Sequence, residues 1–250
     1  MSVHQRHLSA FRPAPAQPAR EVQVELCWRA PVPVSGPAPV GMQWESKRLP
    51  DTPLLRAAIC TLARGAMLRC PDGPRAVEDL VPGDRVLDHE GRPVRVDWIG
   101  SMTLRPDGAG PAPLLRVAAG ALGADGPEAD VLLGAQAHVL VRSPACRALV
   151  GSECAFAPLA ALADGIDVAP VAPPGAVTLY GLAAGGQHGL AACGLAVESF
   201  HPARAMMRSM GRPMLSEMAA LFPQLAGGPG FGPRRIPHLS MAEAAELRLR

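Results

Sequence analysis

The chain has 250 residues, which allows one domain with extensions or two small domains, and its formal charge is close to neutral at +2. Lys47 is the only lysine among 24 basic residues, and it follows no phosphate-type glycine loop, so P-loop and pyridoxal chemistry are excluded. No G-x-G-x-x-G stands between a strand and a helix, so a dinucleotide fold is unsupported and no cofactor is implied.

Residues 1–50 read as a proline-rich leader. Within it, residues 21–28 alternate, with Val22, Val24, Leu26 and Trp28 on one face, which predicts an edge strand bounded by Pro31 and Pro33. Residues 51–63 predict a short helix capped by Asp51 or Thr52, with Pro53 in its first turn. Residues 66–70 read as a strand, and Pro71-Asp72-Gly73-Pro74 and Pro82-Gly83-Asp84 as turns. A hairpin follows, from residues 85–88 through Glu90-Gly91-Arg92-Pro93 into 94–104, with Val94, Val96 and Trp98 on one face. Further strands are expected at 114–117, 131–142, 177–182 and 190–193, with a short helix at 159–163. Short strands punctuated by glycine and proline predict an all-β core.

Beyond Pro202 the pattern turns helical. Residues 214–225 carry apolar residues at helical spacing until Pro223, and residues 227–237 read as a glycine-proline linker. Ser240-Met241-Ala242-Glu243 is a capping-box pattern ahead of a last short helix. The organisation expected is a leader over 1–50, a β domain over 51–203 and a helical extension over 204–250.

The arginines are dispersed among acidic residues, so no nucleic-acid surface is expected. The first twenty residues lack the continuous apolar stretch of a secretory signal. The uncharged run 168–197 is interrupted by prolines and glycines, which argues against a membrane helix. Cys27, Cys60, Cys70, Cys146, Cys154 and Cys193 form no C-x-x-C pair, so neither a zinc site nor a redox motif is indicated. These features describe a soluble cytoplasmic protein with reduced thiols and no indicated metal or small-molecule ligand, whose partner would be another protein.

Three stretches carry a resemblance. The first, ARGAMLRCPDGPRAVEDLVPGDRVLDHEGRPVRVDWIG, spans residues 63–100. The second is DVLLGAQAHVLVR, residues 130–142. The third runs from Gln187-His188 to Glu198-Ser199-Phe200-His201-Pro202. Together they resemble the Hint (Hedgehog/intein) family in its bacterial stand-alone branch. That resemblance implies a horseshoe-like all-β fold with short C-terminal helices and a self-cleavage chemistry. A cysteine at the domain start attacks the preceding carbonyl, and a histidine on a strand carrying S/T-x-x-H protonates the departing amide nitrogen.

The resemblance makes Cys60, Thr61, His138, His188 and His201 the candidate catalytic residues. Two registers differ from the family pattern. Cys60 lies one place before the position of the cysteine in C-F-x-x-G-T, which Thr61 occupies. The strand histidine would fall at Ala137, beside His138, and the S/T position at Gly134; taking His138 instead puts Ala135 there. Within a strand, such a shift turns a side chain to the opposite face. Two functions are therefore expected: a Hint protein with a degenerate cleavage site acting as a binding or structural module, or an active autoprocessing domain cleaving before Cys60 or Thr61. Beside these candidates, Glu78, Asp79 and Asp84 read as turn-capping carboxylates and Trp98 as a core aromatic. Met206, Met207, Met210, Met214 and Met218 read as a helix packing on the β core, or as an adaptable partner surface.

Overall fold

The computed structural model describes residues 20–29, 41–105, 113–123, 126–202, 211–225 and 230–248. In chain order, β1 (Glu21–Arg29) and β2 (Met42–Pro50) precede α1 (Pro53–Ile59). Next come β3 (Leu62–Ala63), β4 (Met67–Cys70), β5 (Gly73–Ala76), β6 (Arg85–Leu87) and β7 (Pro93–Leu104). They are followed by β8 (Leu114–Val117), β9 (Val131–Gly134), β10 (His138–Arg142), α2 (Pro144–Val150) and β11 (Cys154–Pro158). The last elements are β12 (Val168–Val171), β13 (Val177–Ala184), β14 (Gly189–Ala192), β15 (Leu195–Glu198), α3 (Arg212–Leu221) and α4 (Met241–Arg248). The strands form two antiparallel sheets. One has nine strands in the order β12-β8-β9-β3-β13-β7-β1-β2, with β6 added on β7, and the other has six in the order β11-β10-β15-β14-β4-β5.

The central hairpin forms as its alternation predicts. β6 pairs with β7, and Val94, Val96 and Trp98 are all buried, the two valines in one core cluster and Trp98 in the other. The indole of Trp98 dictates its neighbour: a Cβ at Gly100 would lie 2.4 Å from the ring. Phe222, just past α3, tilts against the same indole with ring centroids 4.5 Å apart. Helix α3 stops one residue before Phe222 and two before Pro223, and Met218 is buried against the cluster around α1 with Met214 beside it. That places these two methionines in the core; Met206, Met207 and Met210 lie outside the described residues.

The strand expected over 21–28 is present but is not an edge. It lies between β7 and β2, and β2 takes the outer position. The sequence hides β2 because its side chains are mostly exposed, including Glu45 and Arg48, so it lacks an apolar face; polar side chains of this kind protect a sheet edge. Thr52 is the cap of α1, accepting the Leu55 N–H at 3.1 Å, whereas Asp51 holds Arg56. The helix is shorter than the expected 51–63 because the chain enters β3 at Leu62.

The largest departure concerns residues 131–142. They form two strands in different sheets, β9 and β10, separated by a turn in which the Ala137 N–H reaches the Gly134 carbonyl at 3.0 Å. Apolar stretches on both sides, Val131 to Leu133 and Val139 to Val141, concealed the break. Gly134 supplies it: a Cβ there would lie 2.2 Å from the Cys60 carbonyl oxygen. Because the turn resets the register, strand alternation across 131–142 does not decide which way His138 faces.

The segment expected to be a linker over 227–237 is, from Gly230 onward, bonded into the core. The Phe156 N–H donates to the Pro237 carbonyl and the Leu239 N–H to the Phe156 carbonyl, each at 2.9 Å. Both capping-box bonds form at α4, from Ser240 N–H to Glu243 and from Glu243 N–H to the Ser240 hydroxyl. Among the described residues, no helix is long and apolar enough to cross a membrane.

Candidate functional site

Two buried centres contain the candidate residues. The first lies at the end of α1. Cys60 closes this helix, its N–H donating to the Arg56 carbonyl at 2.7 Å. The residue is 3% exposed, and its thiol donates to Met102 Sδ at 3.6 Å. Burial pushes the thiol pKa up to about 12, with Arg56 pulling weakly downward. At neutral pH such a thiol is held in its protonated form.

Thr61 is buried beside it, with its hydroxyl donating to the Tyr180 carbonyl at 2.8 Å and its N–H to the Ile59 carbonyl at 2.9 Å. The turn after β9 closes over this backbone. Gly134 N–H donates to the Thr61 carbonyl at 2.9 Å, and Gln136 N–H to the Cys60 carbonyl at 3.2 Å. From the other side β13 presses close, since a Cβ at Gly181 would lie 1.7 Å from the Ala58 carbonyl oxygen. A cavity of about 260 Å³ borders Cys60, lined also by Leu104, Leu115, Gln136 and Arg56, whose guanidinium holds Asp51.

The second centre is polar. Glu198, at the end of β15, has a side chain only 7% exposed. Its Oε1 accepts from Gln187 Nε2 at 2.7 Å, and its Oε2 lies 2.8 Å from His238 Nε2. Arg234, which can only donate, is bonded to His238 Nδ1. The His138 ring meets the His238 ring edge-on, with centroids 5.5 Å apart. Burial pushes the Glu198 pKa up to about 7, outweighing the downward pulls of His138, Gln187, Arg234 and His201.

His188 and His201 sit at the margin of this centre. The His188 N–H donates to the Ser199 hydroxyl at 3.1 Å, and burial holds its ring pKa below the ordinary histidine value. His201 Nε2 lies 3.1 Å from the Gly232 carbonyl, to which it donates, while its Nδ1 is buried without a partner among the described residues.

Of the candidates, His138 thus stands beside His238 in the Glu198 centre, with His188 and His201 at its margin. Cys60 and Thr61 belong to the other centre, and among the described residues no hydrogen bond joins either to a histidine. The hydrogen-bond partners of Glu198 are Gln187 and His238. Gln187 was visible within a quoted motif but carried no role. His238 escaped altogether, since its carboxylate partner is 40 positions away and nothing local marks it. Of the three turn carboxylates, Glu78 accepts the Gly65 N–H and Asp84 the Val81 N–H, as expected. All six cysteines are free, and among the described residues no group of three metal-ligating side chains is found.

Comparison with family models matches residues 60–204 to the Hint domain. Among solved structures the chain is similar to one described as the crystal structure of MchDnaB-1 intein, at 19% identity and a TM-score of 0.35. That similarity covers 56% of this chain and 99% of the other. No curated protein matches. The segment bearing Arg234 and His238 lies beyond the family match.

Proposed function

The chain belongs to the Hint-domain family, which includes intein autoprocessing domains, and we propose that its self-cleavage site is degenerate and that it acts as a binding or structural module. The observation that carries this reading is the state of Cys60. An acyl shift onto sulfur needs a thiolate facing the Ile59 carbonyl carbon and a proton donor for the departing Cys60 nitrogen. The thiol is instead sunk against Met102 and held protonated by burial. The departing N–H is committed to the Arg56 carbonyl, and the Ile59 carbonyl accepts from Thr61.

The chain upstream supports the same reading. In a cleaving domain the segment before the nucleophile is what departs. Here that segment contributes β1 and β2 to the larger sheet, with Val24–Trp28 paired along β7. Val24 and Leu26 are fully buried, so release would strip an apolar face from the core. A cytoplasmic setting fits six cysteines without a disulfide.

The second reading, autoprocessing before Cys60 or Thr61, has one observation in its favour. Gln136 N–H points at the Cys60 carbonyl, the kind of donor that stabilises an oxyanion if Thr61 were to attack. Its weakness is that the Thr61 hydroxyl donates to a carbonyl, which cannot serve as a base at neutral pH. Intact masses separate the two. The full chain and a Cys60→Ala variant are incubated with and without a strong thiol. The expected result is an unchanged 26.0 kDa chain throughout. Loss of residues 1–59 or 1–60 from the unmodified chain would overturn the proposal.

A further inference from the structure

Strand β2 ends the nine-stranded sheet, and among the described residues no strand pairs with its outer edge. The direction of its peptide groups follows from the register with β1. Glu21 stands opposite Pro50, and one step further the Asp51 N–H donates to the Arg20 carbonyl at 2.7 Å. In an antiparallel ladder the residues that bond a given neighbour alternate, so Gln43, Glu45, Lys47 and Leu49 bond β1. Met42, Trp44, Ser46 and Arg48 therefore turn their N–H and C=O groups outward, and Pro50, in the same series, has no N–H to leave unmet. On the face these residues share, Trp44 is 61% exposed and Arg48 is exposed four positions along. On the opposite face Lys47 bonds Glu45 of its own strand at 2.8 Å, and both side chains still reach solvent.

We propose that this edge pairs with the same edge of a second copy, antiparallel about a two-fold axis at Ser46, so that two sheets join into one. The strand is complementary to itself in that register. With Ser46 opposite Ser46, Glu45 faces Lys47 of the second copy and Lys47 faces its Glu45, while Trp44 faces Arg48 and Gln43 faces Leu49. The two charge pairs fall at non-hydrogen-bonded positions, where side chains come closest. Each Trp44 receives a guanidinium beside its indole, a contact the spacing of the two residues denies it within one strand. Sliding one strand by two residues is the smallest slip that keeps outward groups opposed. It would set Glu45 against Glu45 or Lys47 against Lys47, so the charges select the register. The polar side chains that keep foreign strands off this edge thus admit its own copy. Each residue meets its complement in both directions, which closes the assembly at two chains. A single strand pairing buries little apolar surface, so the dimer is reversible and depends on concentration. The edge lies before the family match at residues 60–204. The inference rests on the binding-module reading, for which it names the partner.

The test is sedimentation equilibrium of the full chain from about 1 to 300 μM. The unmodified chain is expected to pass from monomer to dimer over that range, and to associate less at high salt. Glu45→Lys and Lys47→Glu each set like charges opposite one another twice in a dimer, so each should weaken it by about tenfold or more. Mixed in equal amounts, the two variants oppose every lysine to a glutamate, and the heterodimer should recover the unmodified affinity. Ser46→Pro removes an outward N–H without touching the β1 ladder, so it should abolish the dimer while leaving the thermal midpoint of dilute chain nearly unchanged. A chain that stays monomeric at every concentration, a dimer that persists in Ser46→Pro, or a mixture that associates no better than its components would each overturn the proposal. Intact masses recorded on the same samples keep the two claims apart. Loss of residues 1–59 refutes the function reading, and an intact 26.0 kDa chain that never dimerises refutes this inference alone.

Discussion

The Cys60 and Glu198 centres are both buried, yet they use burial in opposite ways. Around Cys60 the backbone polar groups are consumed in turns and the reactive side chain faces a thioether, so burial suppresses its chemistry. Around Glu198 burial is combined with hydrogen bonds and charges from β10, the loop after β13 and the C-terminal segment. An ionisable group there titrates near neutrality because the protein both desolvates and contacts it. Both centres join residues of the family match to residues outside it, Arg56 and Ile59 at Cys60 and Arg234 and His238 at Glu198.

The comparison can be broken most forcefully at the close backbone approaches that seal Cys60. Gly181→Ala and Gly134→Ala each set a Cβ against a carbonyl oxygen, at 1.7 and 2.2 Å. Each is expected to lose about 3 kcal/mol or more of stability in denaturant titration. A midpoint equal to that of the unmodified chain would mean that the end of α1 is loosely held and Cys60 is not sealed.

A smaller effect sharpens the Glu198 side. Its pKa is raised on folding to about 7, so the native state binds the proton more tightly than the unfolded chain does. The stability this contributes is complete below the ordinary carboxylate range and is lost as pH rises through about 7. Glu198→Gln remains neutral, so its stability relative to the unmodified chain should rise by a few kcal/mol between acid and the range above neutrality. Parallel stability curves across that window would remove Glu198 from the account.

Much of the scaffold was legible in the sequence because local rules decided it. Alternation in residues 94–98 marked the buried face of β7, and Ser240 with Glu243 announced the last helix. What escaped was decided at a distance. The break at Gly134 answers to a carbonyl at Cys60, more than seventy positions earlier, and β2 is a strand because it pairs along the whole length of β1. The candidate site divides the same way. His138 and Glu198 lie in motifs that could be read, whereas His238 acquires its role only when the C-terminal segment folds back.

The account turns on whether Cys60 is sealed, and site-resolved alkylation measures that directly. Native chain is exposed to iodoacetamide for increasing times, and each of the six cysteines is quantified by peptide mass. Half-buried Cys154 should label early, and Cys60, 3% exposed and held protonated by burial, should label only as fast as the whole chain unfolds. Labelling of Cys60 at the pace of Cys154 would contradict the account, because an accessible thiolate there would return the self-cleavage chemistry to the chain.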